Sequence, residues 1–557
     1  MKKEAAIALS LANLCFIREW SVILKRSNWF SINANLIPLH LAALVLNVLA
    51  LAGAAYLGVA LARTSRNGSA MAFARWAFLG MLIVVLNVAR EMSGLNYSDF
   101  LFSHIGYWKF ILDYDWPFVA ARFALCAAVV WGLFQRRIRT VRIAVTGIVA
   151  FGALILPPFV TEPVLFSSLV LLIFLQWRDR VIRIAARTLL VLSPFVLVTF
   201  SQAAWGLASI RSILRNKPAV KAALAKEVSK VRVLWLIFDE MDQRLTYAAR
   251  PPGLELPELD RLRAESLYAA NAYSPANSTY VSLPSLLTGQ LVSKSDLFPS
   301  EMLITWERTG RKVKLSEQTS IFSEAVKAGH NAAIASETEN WQLIFEPQTT
   351  VKFKDNFTVE APGREIVRIM ANQTSGLWPA WSSSRQKVSL NLISDQSTVN
   401  SFKNNLHNAK ICLQTPDLGF CFVYFILPHD PYIYDRATGE FVYDYIDTPQ
   451  GYLDNLALVD RTLGELRSAM TQAGTWDATT VILSSDHHWR KSKDFDGKLY
   501  ERWVPFVVKF AGQKEGSVYE RRFQTLCTHD MVLALLGGEI SDPRGLARWL
   551  DKRRVSP

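Results

Sequence analysis

Cysteine is scarce in this chain: five residues among 557, with no zinc-finger spacing among them. Internal repeats and low-complexity tracts are absent, and no cleavable signal peptide opens the sequence. The formal charge of +13 is not concentrated in a basic patch, and no base-stacking module accompanies it. A nucleic-acid-binding protein is therefore excluded. Charged residues make up only 20% of the chain against 51% hydrophobic ones, and the mean hydropathy of +0.16 is high for a soluble protein.

The apolar residues are unevenly spread. Up to about residue 206 the chain is dominated by long apolar runs, and from residue 231 it alternates like a globular α/β protein. Three parts follow: a transmembrane domain over 1–206, an amphipathic linker over 207–230 and an extracytoplasmic α/β domain over 231–557. Six stretches are long enough, or nearly so, to cross a bilayer: 34–62, 70–90, 117–135, 141–158, 162–177 and 187–206. Residues 5–24, interrupted by Arg18 and Glu19, either add a seventh span or lie in the interface. Loops 136–142 and 178–183 are rich in arginine, whereas the loop holding Glu91, Asp99, Asp113 and Asp115 is acidic. The positive-inside rule puts the basic loops in the cytoplasm and everything after residue 206 outside. Much of the net positive charge is thus topogenic. Residues 207–230, with Arg211, Arg215, Lys217, Lys221, Lys226 and Lys230, read as a basic helix on the outer membrane surface.

Cys15 and Cys126 fall in apolar segments and read as inert packing; Cys412 and Cys421 flank a turn and suit a disulfide in an oxidising compartment, which leaves Cys527 over.

In the α/β part, Val231–Phe238 is a nearly continuous apolar run suited to a buried parallel strand, and it stops abruptly at Asp239-Glu240. Further strands are predicted over Asn331–Ser336, Cys421–Leu427, Thr479–Ser485 and Val504–Phe510, with helical patterns between them. Such alternation predicts a doubly wound, mostly parallel sheet. Two more of these strands end in chemistry: one runs into Pro428-His429-Asp430, the other into Asp486-His487-His488. Ligands in open α/β sheets bind at the carboxyl ends of strands. Oxygen and nitrogen donors gathered there suit zinc or manganese. Between them, Ser274–Ser278 breaks into Thr279–Thr288 and is closed by Gly289, the pattern of a loop feeding a short helix. A hydroxyl at such a helix start is most often an ordinary cap, but an anion is also welcome there.

Taken together, Pro257–Leu262, Asn271–Ser274, Pro284–Gly289, Lys327–His330, Ser485–His487 and Leu499–Pro505 resemble, in order, the signature segments of sulfatases. The resemblance spans residues 231–540 and implies an alkaline-phosphatase-like metalloenzyme fold. That superfamily also holds phosphoethanolamine transferases, phosphoglycerol transferases and lipoteichoic acid synthases. The position of the sulfatase nucleophile falls on Thr279, and the Cys-x-Pro-x-Arg needed for formylglycine is absent. Thr279–Pro284 instead resembles the nucleophile segment of phosphoethanolamine transferases, which likewise carry N-terminal membrane helices. The resemblance implies Thr279 as nucleophile and His429 as acid. It implies Asp239, Glu240, Thr279, Asp486 and His487 as ligands of one divalent ion, zinc above manganese. It implies Tyr452, Asn455 and Asp460 as structural support. A second histidine usual before the Val-Pro pair is replaced by Arg502-Trp503, for which His488, Lys498 or Arg502 are substitutes.

The expected function is transfer of phosphoethanolamine or phosphoglycerol from a membrane phospholipid to a cell-envelope glycan or glycolipid. It would take place on the outer, periplasmic side of a bacterial-type cytoplasmic membrane, through a phosphothreonine. The alternatives are a phosphodiesterase or phosphatase that uses water, and an inactive homologue serving as a structural partner in envelope polysaccharide assembly. A sulfatase ranks behind these, because threonine cannot become formylglycine.

Overall fold

A computed structural model describes residues 2–24, 37–64, 179–215, 231–298, 301–337, 339–351, 362–375, 395–415, 417–442 and 448–553, besides a few positions between 74 and 85. The chain divides into two units. The first comprises Met1–Leu24, Pro38–Ala208 and, unforeseen from the sequence, Ala361–Leu390; the second holds the remainder.

Within the first unit, α1 (Lys2–Cys15) and α2 (Ile17–Ile23) meet at a 61° bend. Helix α3 spans Ile37–Thr64, and α4 (Asp179–Leu192) meets α5 (Pro194–Arg215) at 42°. The second bend falls at Ser193-Pro194, where the proline ring cannot continue the preceding helix. Among the described residues one helix, Ile37–Arg63, is long and apolar enough to cross a membrane; each bent pair adds another if it forms a single span. These elements coincide with the stretches expected at 34–62, 5–24 and 187–206. Those at 117–135, 141–158 and 162–177, and most of 70–90, lie outside the described residues, as does 216–230 of the linker. Leu57 and Leu61 of α3 are 59% and 69% exposed, an outward apolar face that water would penalise and lipid would not. Several described polar residues of this unit pair with one another. Glu4 forms an ion pair with Arg63, and the Thr199 hydroxyl donates to Asn13 Oδ1 at 3.1 Å. Asn47 Nδ2 donates to Met370 O at 3.1 Å and to Gln373 Oε1 at 3.0 Å, and Gln373 Nε2 donates to His40 O at 3.2 Å. Helix Pro362–Ser375 is thereby held to the first turns of α3.

The second unit is built on a seven-stranded sheet: β1 (Arg232–Phe238), β2 (Leu267–Ala269), β3 (Ala332–Ser336), β4 (Phe420–Phe425), β5 (Thr479–Ser485), β6 (Phe506–Lys509) and β7 (Ser517–Tyr519). The spatial order is β7-β2-β6-β5-β1-β4-β3. Strands β5, β1, β4 and β3 are mutually parallel, as expected. The sheet is nevertheless mixed, because β6 runs antiparallel to both β5 and β2. The strand expected over Val504–Phe510 is split at Pro505, which has no N–H for the ladder. Trp503-Val504 pairs instead with Ala272-Tyr273, and Phe506 starts β6.

Strand β1 is buried on both faces, which explains its unbroken apolar run. On one side Val233, Trp235 and Ile237 pack with Leu283, Leu286 and Leu287 of α6 (Thr279–Thr288). On the other, Leu234, Leu236 and Phe238 meet α7 (Asp395–Gln414) and α8 (Pro449–Gln472) through Phe402, Leu453 and Leu456. Truncating any one of these leucines to alanine would cost about 2–5 kcal/mol. A Cys412–Cys421 disulfide joins the end of α7 to β4; Cys527 is free, and burial pushes its thiol up to about 12.

Candidate active site

Register brings the chemistry together. Phe238 of β1 lies opposite Ser485 of β5 and Phe425 of β4, so the residues that follow all three strands emerge at one carboxyl edge. Asp239 and Asp486 come first; the chain beyond β4 reaches His429 four residues on.

Helix α6 supplies the hydroxyl. Its N-cap, Ser278, has extended backbone and makes no side-chain capping bond, while its carbonyl accepts from Val281 N and Ser282 N. Thr279, the first helical residue, therefore has its hydroxyl available. Its Oγ1 is 3.1 Å from His487 Nε2 and 3.4 Å from each oxygen of Asp239. The helix is fixed by Ser282 Oγ, which donates to Asp486 O at 2.6 Å, and it ends at Gly289 in the left-handed region (φ 68°). A side chain at Gly289 would be strained, and its Cβ would meet the His529 ring at 2.8 Å.

Asp239, Asp486 and His487 form a buried group whose donor atoms all lie within 4.8 Å of one another. His487 Nδ1 is 2.9 Å from the carbonyl of His488, which places its proton there and leaves the Nε2 lone pair facing the carboxylates. Nε2 stands 3.6 Å from Asp239 Oδ1 and 3.6 Å from Asp486 Oδ2. Asp486 Oδ2 is buried and accepts no hydrogen bond. Four ligands about 2.1 Å from a zinc ion would stand about 3.4 Å apart. The orphaned oxygen, the free imidazole lone pair and the spacings all fit one divalent ion, with Thr279 at the fourth corner.

Burial and the neighbouring Asp239 push Asp486 up to about 7. Burial also works against ionisation of Asp239, but His429, His487 and the Tyr424 hydroxyl outweigh it and hold Asp239 below the usual range. Tyr424 Oη donates to Asp239 Oδ2 at 2.6 Å.

Glu240 does not join this group. Its backbone is left-handed (φ 60°), with the carbonyl accepting from Tyr452 Oη at 2.8 Å and the N–H donating to Asp486 Oδ1 at 3.3 Å. That turn sends its carboxylate to Arg490, whose Nε donates to Oε1 at 2.6 Å. His429 Nε2 is 4.0 Å from the same oxygen and 3.2 Å from Arg490 Nη2. The His429 ring is oriented by Nδ1, 2.5 Å from Asp430 O, and Asp430 is paired with Lys491 at 2.8 Å. Burial disfavours a charged His429, yet Glu240, Asp239 and Asp430 overcome it and raise the imidazole well above its usual value.

The supporting helix α8 acts as its motif implied. Tyr452 Oη also accepts from Asp242 N at 2.9 Å, bridging the turn after β1. Asn455 Nδ2 donates to His429 O and Pro431 O at 3.2 Å, and Asp460 accepts from Leu259 N at 2.8 Å. Of the three substitutes for the missing histidine, His488 is buried, accepts from Arg502 N at 3.0 Å and is lowered by burial to about 4. It is a neutral structural acceptor. Arg502, at φ 61°, directs Nη1 to Pro275 O at 3.3 Å, and Lys498 is exposed. The sequence reading missed Tyr424, Arg490 and Glu337. Glu337 follows β3, accepts from Ile426 N at 2.9 Å and is pushed by burial to about 8. No motif signals any of the three.

A hydroxyl, two carboxylates and an imidazole at the carboxyl edge of an α/β sheet make the layout of the alkaline phosphatase/sulfatase superfamily, whose members use divalent metals. The chain matches the Sulfatase family over residues 232–534, more than half its length, and it belongs to that family. Solved structures with similar folds include a phosphonate monoester hydrolase of Agrobacterium radiobacter (14% identity, 55% of this chain and 74% of that one, TM-score 0.35). They also include an alkaline phosphatase superfamily protein from Vibrio parahaemolyticus (14%, 56% and 68%, TM-score 0.37). A third is the sulfatase PsFucS1 from Pseudoalteromonas sp. (16%, 56% and 68%, TM-score 0.37). No curated protein matches the chain.

Proposed function

We propose that this protein is a membrane-embedded phosphotransferase acting outside the cytoplasmic membrane. Thr279 takes phosphoethanolamine or phosphoglycerol from a membrane phospholipid and passes it to a hydroxyl of a cell-envelope glycan or glycolipid. The observation that carries this reading is the Thr279 hydroxyl, at the first residue of α6 and 3.1 Å from His487 Nε2, at the position where sulfatases need a residue convertible to formylglycine. Threonine cannot undergo that conversion, but it forms a phosphoester directly. The outward apolar face of α3 supports a donor that resides in the bilayer.

A divalent ion held by Asp239, Asp486 and His487 would lower the pKa of the Thr279 hydroxyl and offset charge on the phosphoryl oxygens. Thr279 Oγ1 then bonds to phosphorus as the bond to the diacylglycerol oxygen breaks. Thr279 is the first residue of α6, so the positive end of the helix dipole lies beside the charge that develops. His429 protonates the departing alkoxide, and in the second half-reaction it takes the proton of the acceptor hydroxyl. Peptide mass spectrometry of the purified protein after incubation with phosphatidylethanolamine and phosphatidylglycerol vesicles tests this. One headgroup phosphoester on Thr279 is expected. Release of that group to water in the presence of glycan acceptors would make the protein a phosphodiesterase. Absence of any adduct, with full biological function in Thr279→Ala, would make it a structural partner.

A further inference from the structure

The family pattern places a second histidine before the Val-Pro pair, and this chain has Arg502-Trp503 there, with the Arg502 side chain directed to Pro275 O. We infer that Arg490 binds the anionic oxygen of the phospho-substituent and orients His429 toward the leaving oxygen, and that Glu240 serves Arg490 rather than the metal cluster. The inference rests on the phosphotransfer reading above for the identity of the anion.

Three features of the geometry carry it. Glu240 is 6% exposed, and a buried carboxylate must find a partner; it finds Arg490 Nε at 2.6 Å and His429 Nε2 at 4.0 Å, outside the group formed by Asp239, Asp486 and His487. The left-handed backbone that turns it there is disfavoured for a residue with a side chain and is held by Tyr452 and Asp486. Arg490 is anchored at one end only. Its Nε is taken by Glu240 and its Nη2 lies 3.2 Å from His429, while Nη1 has no partner among the described residues and the side chain is 50% exposed. A guanidinium fixed along one edge and open along the other suits a phosphoryl oxygen. Glu240 is one carboxylate shared by a permanent cation and an imidazole whose other neighbour, Asp430, is already paired with Lys491. Because Arg490 Nη2 sits beside His429 Nε2, the oxygen that Arg490 holds and the oxygen that His429 protonates belong to the same phosphorus.

The test uses the full-length protein in detergent, with Arg490→Ala, Arg490→Lys and Glu240→Gln. Inorganic phosphate, titrated calorimetrically, should bind Arg490→Ala at least about tenfold more weakly than wild type, with Arg490→Lys between them. Headgroup transfer from phosphatidylethanolamine should fall about 10²–10³-fold in Arg490→Ala. Cleavage of bis(p-nitrophenyl) phosphate, whose leaving group needs no proton, should fall much less. Bound metal should be unchanged in Glu240→Gln. Phosphate affinity equal to wild type in Arg490→Ala, or equal losses on both substrates, would overturn the role of Arg490. Loss of metal from Glu240→Gln would return that residue to the cluster. A wild-type protein that forms no Thr279 adduct but binds phosphate through Arg490 would sink the transferase reading and leave this one standing.

Discussion

The two units put their apolar side chains in opposite places. In the α/β unit β1 buries its apolar residues on both faces, and the chemistry begins where the strand ends. In the N-terminal unit Leu57, Leu61, Val191 and Leu197 face outward. There Thr199 meets Asn13, Asn47 meets Gln373 and Glu4 meets Arg63. One unit is shaped by excluding water; the outward leucines of the other suit a surrounding in which excluding water gains nothing. Hydropathy reveals which solvent a segment meets; only the scattered polar residues reveal how helices of the second kind are matched.

If the units are specialised in this way, the largest losses from substitution at the sheet edge should spare the fold. Thr279→Ala should cut turnover by several orders of magnitude, Thr279→Ser should keep part of it, and Ser278→Ala should cost little, with all three keeping the wild-type thermal midpoint. An inactive Ser278→Ala beside an active Thr279→Ala would shift the nucleophile by one residue.

A second effect separates metal from fold. Asp486→Ala or His487→Ala should lower bound metal well below one ion per chain, measured by elemental analysis. Asp486 is raised to about 7, above its unfolded value near 3.8. Its contribution to the stability of chelated protein is full below the unfolded value and lost as pH rises through 7. The melting temperature of chelated protein should therefore fall between pH 5 and pH 8, and saturating divalent metal should remove that fall. A flat profile without metal would mean that the two carboxylates do not share one site.

The N-terminal unit gives a smaller and different response. Glu4 meets Arg63 at one end of α3, and Gln373 meets His40 at the other. A thiol introduced at Lys3 or in the loop 136–142 should resist membrane-impermeant labelling in intact cells, and a reporter after Pro557 should be active only outside. Asn47→Leu, which removes two hydrogen bonds to Pro362–Ser375, should cost about 1 kcal/mol in detergent and leave hydrolysis of soluble diesters unchanged.

The smallest effect sharpens the contrast within the α/β unit. Burial raises Asp460 to about 6, so its charged form opposes folding as pH rises through that value. Asp460→Asn keeps an acceptor for Leu259 N, and its melting temperature should gain on wild type from pH 4 to pH 7.

The parallel strands, their ends and the residues Asp239, Asp486 and His487 were legible because packing and turn formation alone seldom end several short apolar runs in acids and histidines; Thr279, at a helix start, was singled out only through the resemblance to sulfatases. The mixed edge was half-legible: Pro505 is visible in the sequence, but the direction of β6 depends on a return path that no local pattern encodes. Glu240 stands beside Asp239 and was expected to share its ligand role, yet a single left-handed residue sends it to Arg490. Arg490 itself was illegible, since its function lies in how the loop after β5 folds back over the sheet. Tyr424 sits inside a strand where an aromatic residue ordinarily means packing, and only the register with β1 brings its hydroxyl to Asp239.

Helix Pro362–Ser375 has a practical consequence. Because the sequence leaves the α/β unit at Ala361 and returns by Asn391, no single cleavage separates the two units. A truncated protein starting at Val231 would carry Ile369, 3% exposed in the intact chain, into solvent, together with the Gln373 side chain stripped of its partners Asn47 and His40 on α3. Such a fragment should stick to itself or to detergent micelles. Excising residues 361–390 from it and joining the ends with a short polar linker should give a freely soluble, monodisperse enzyme.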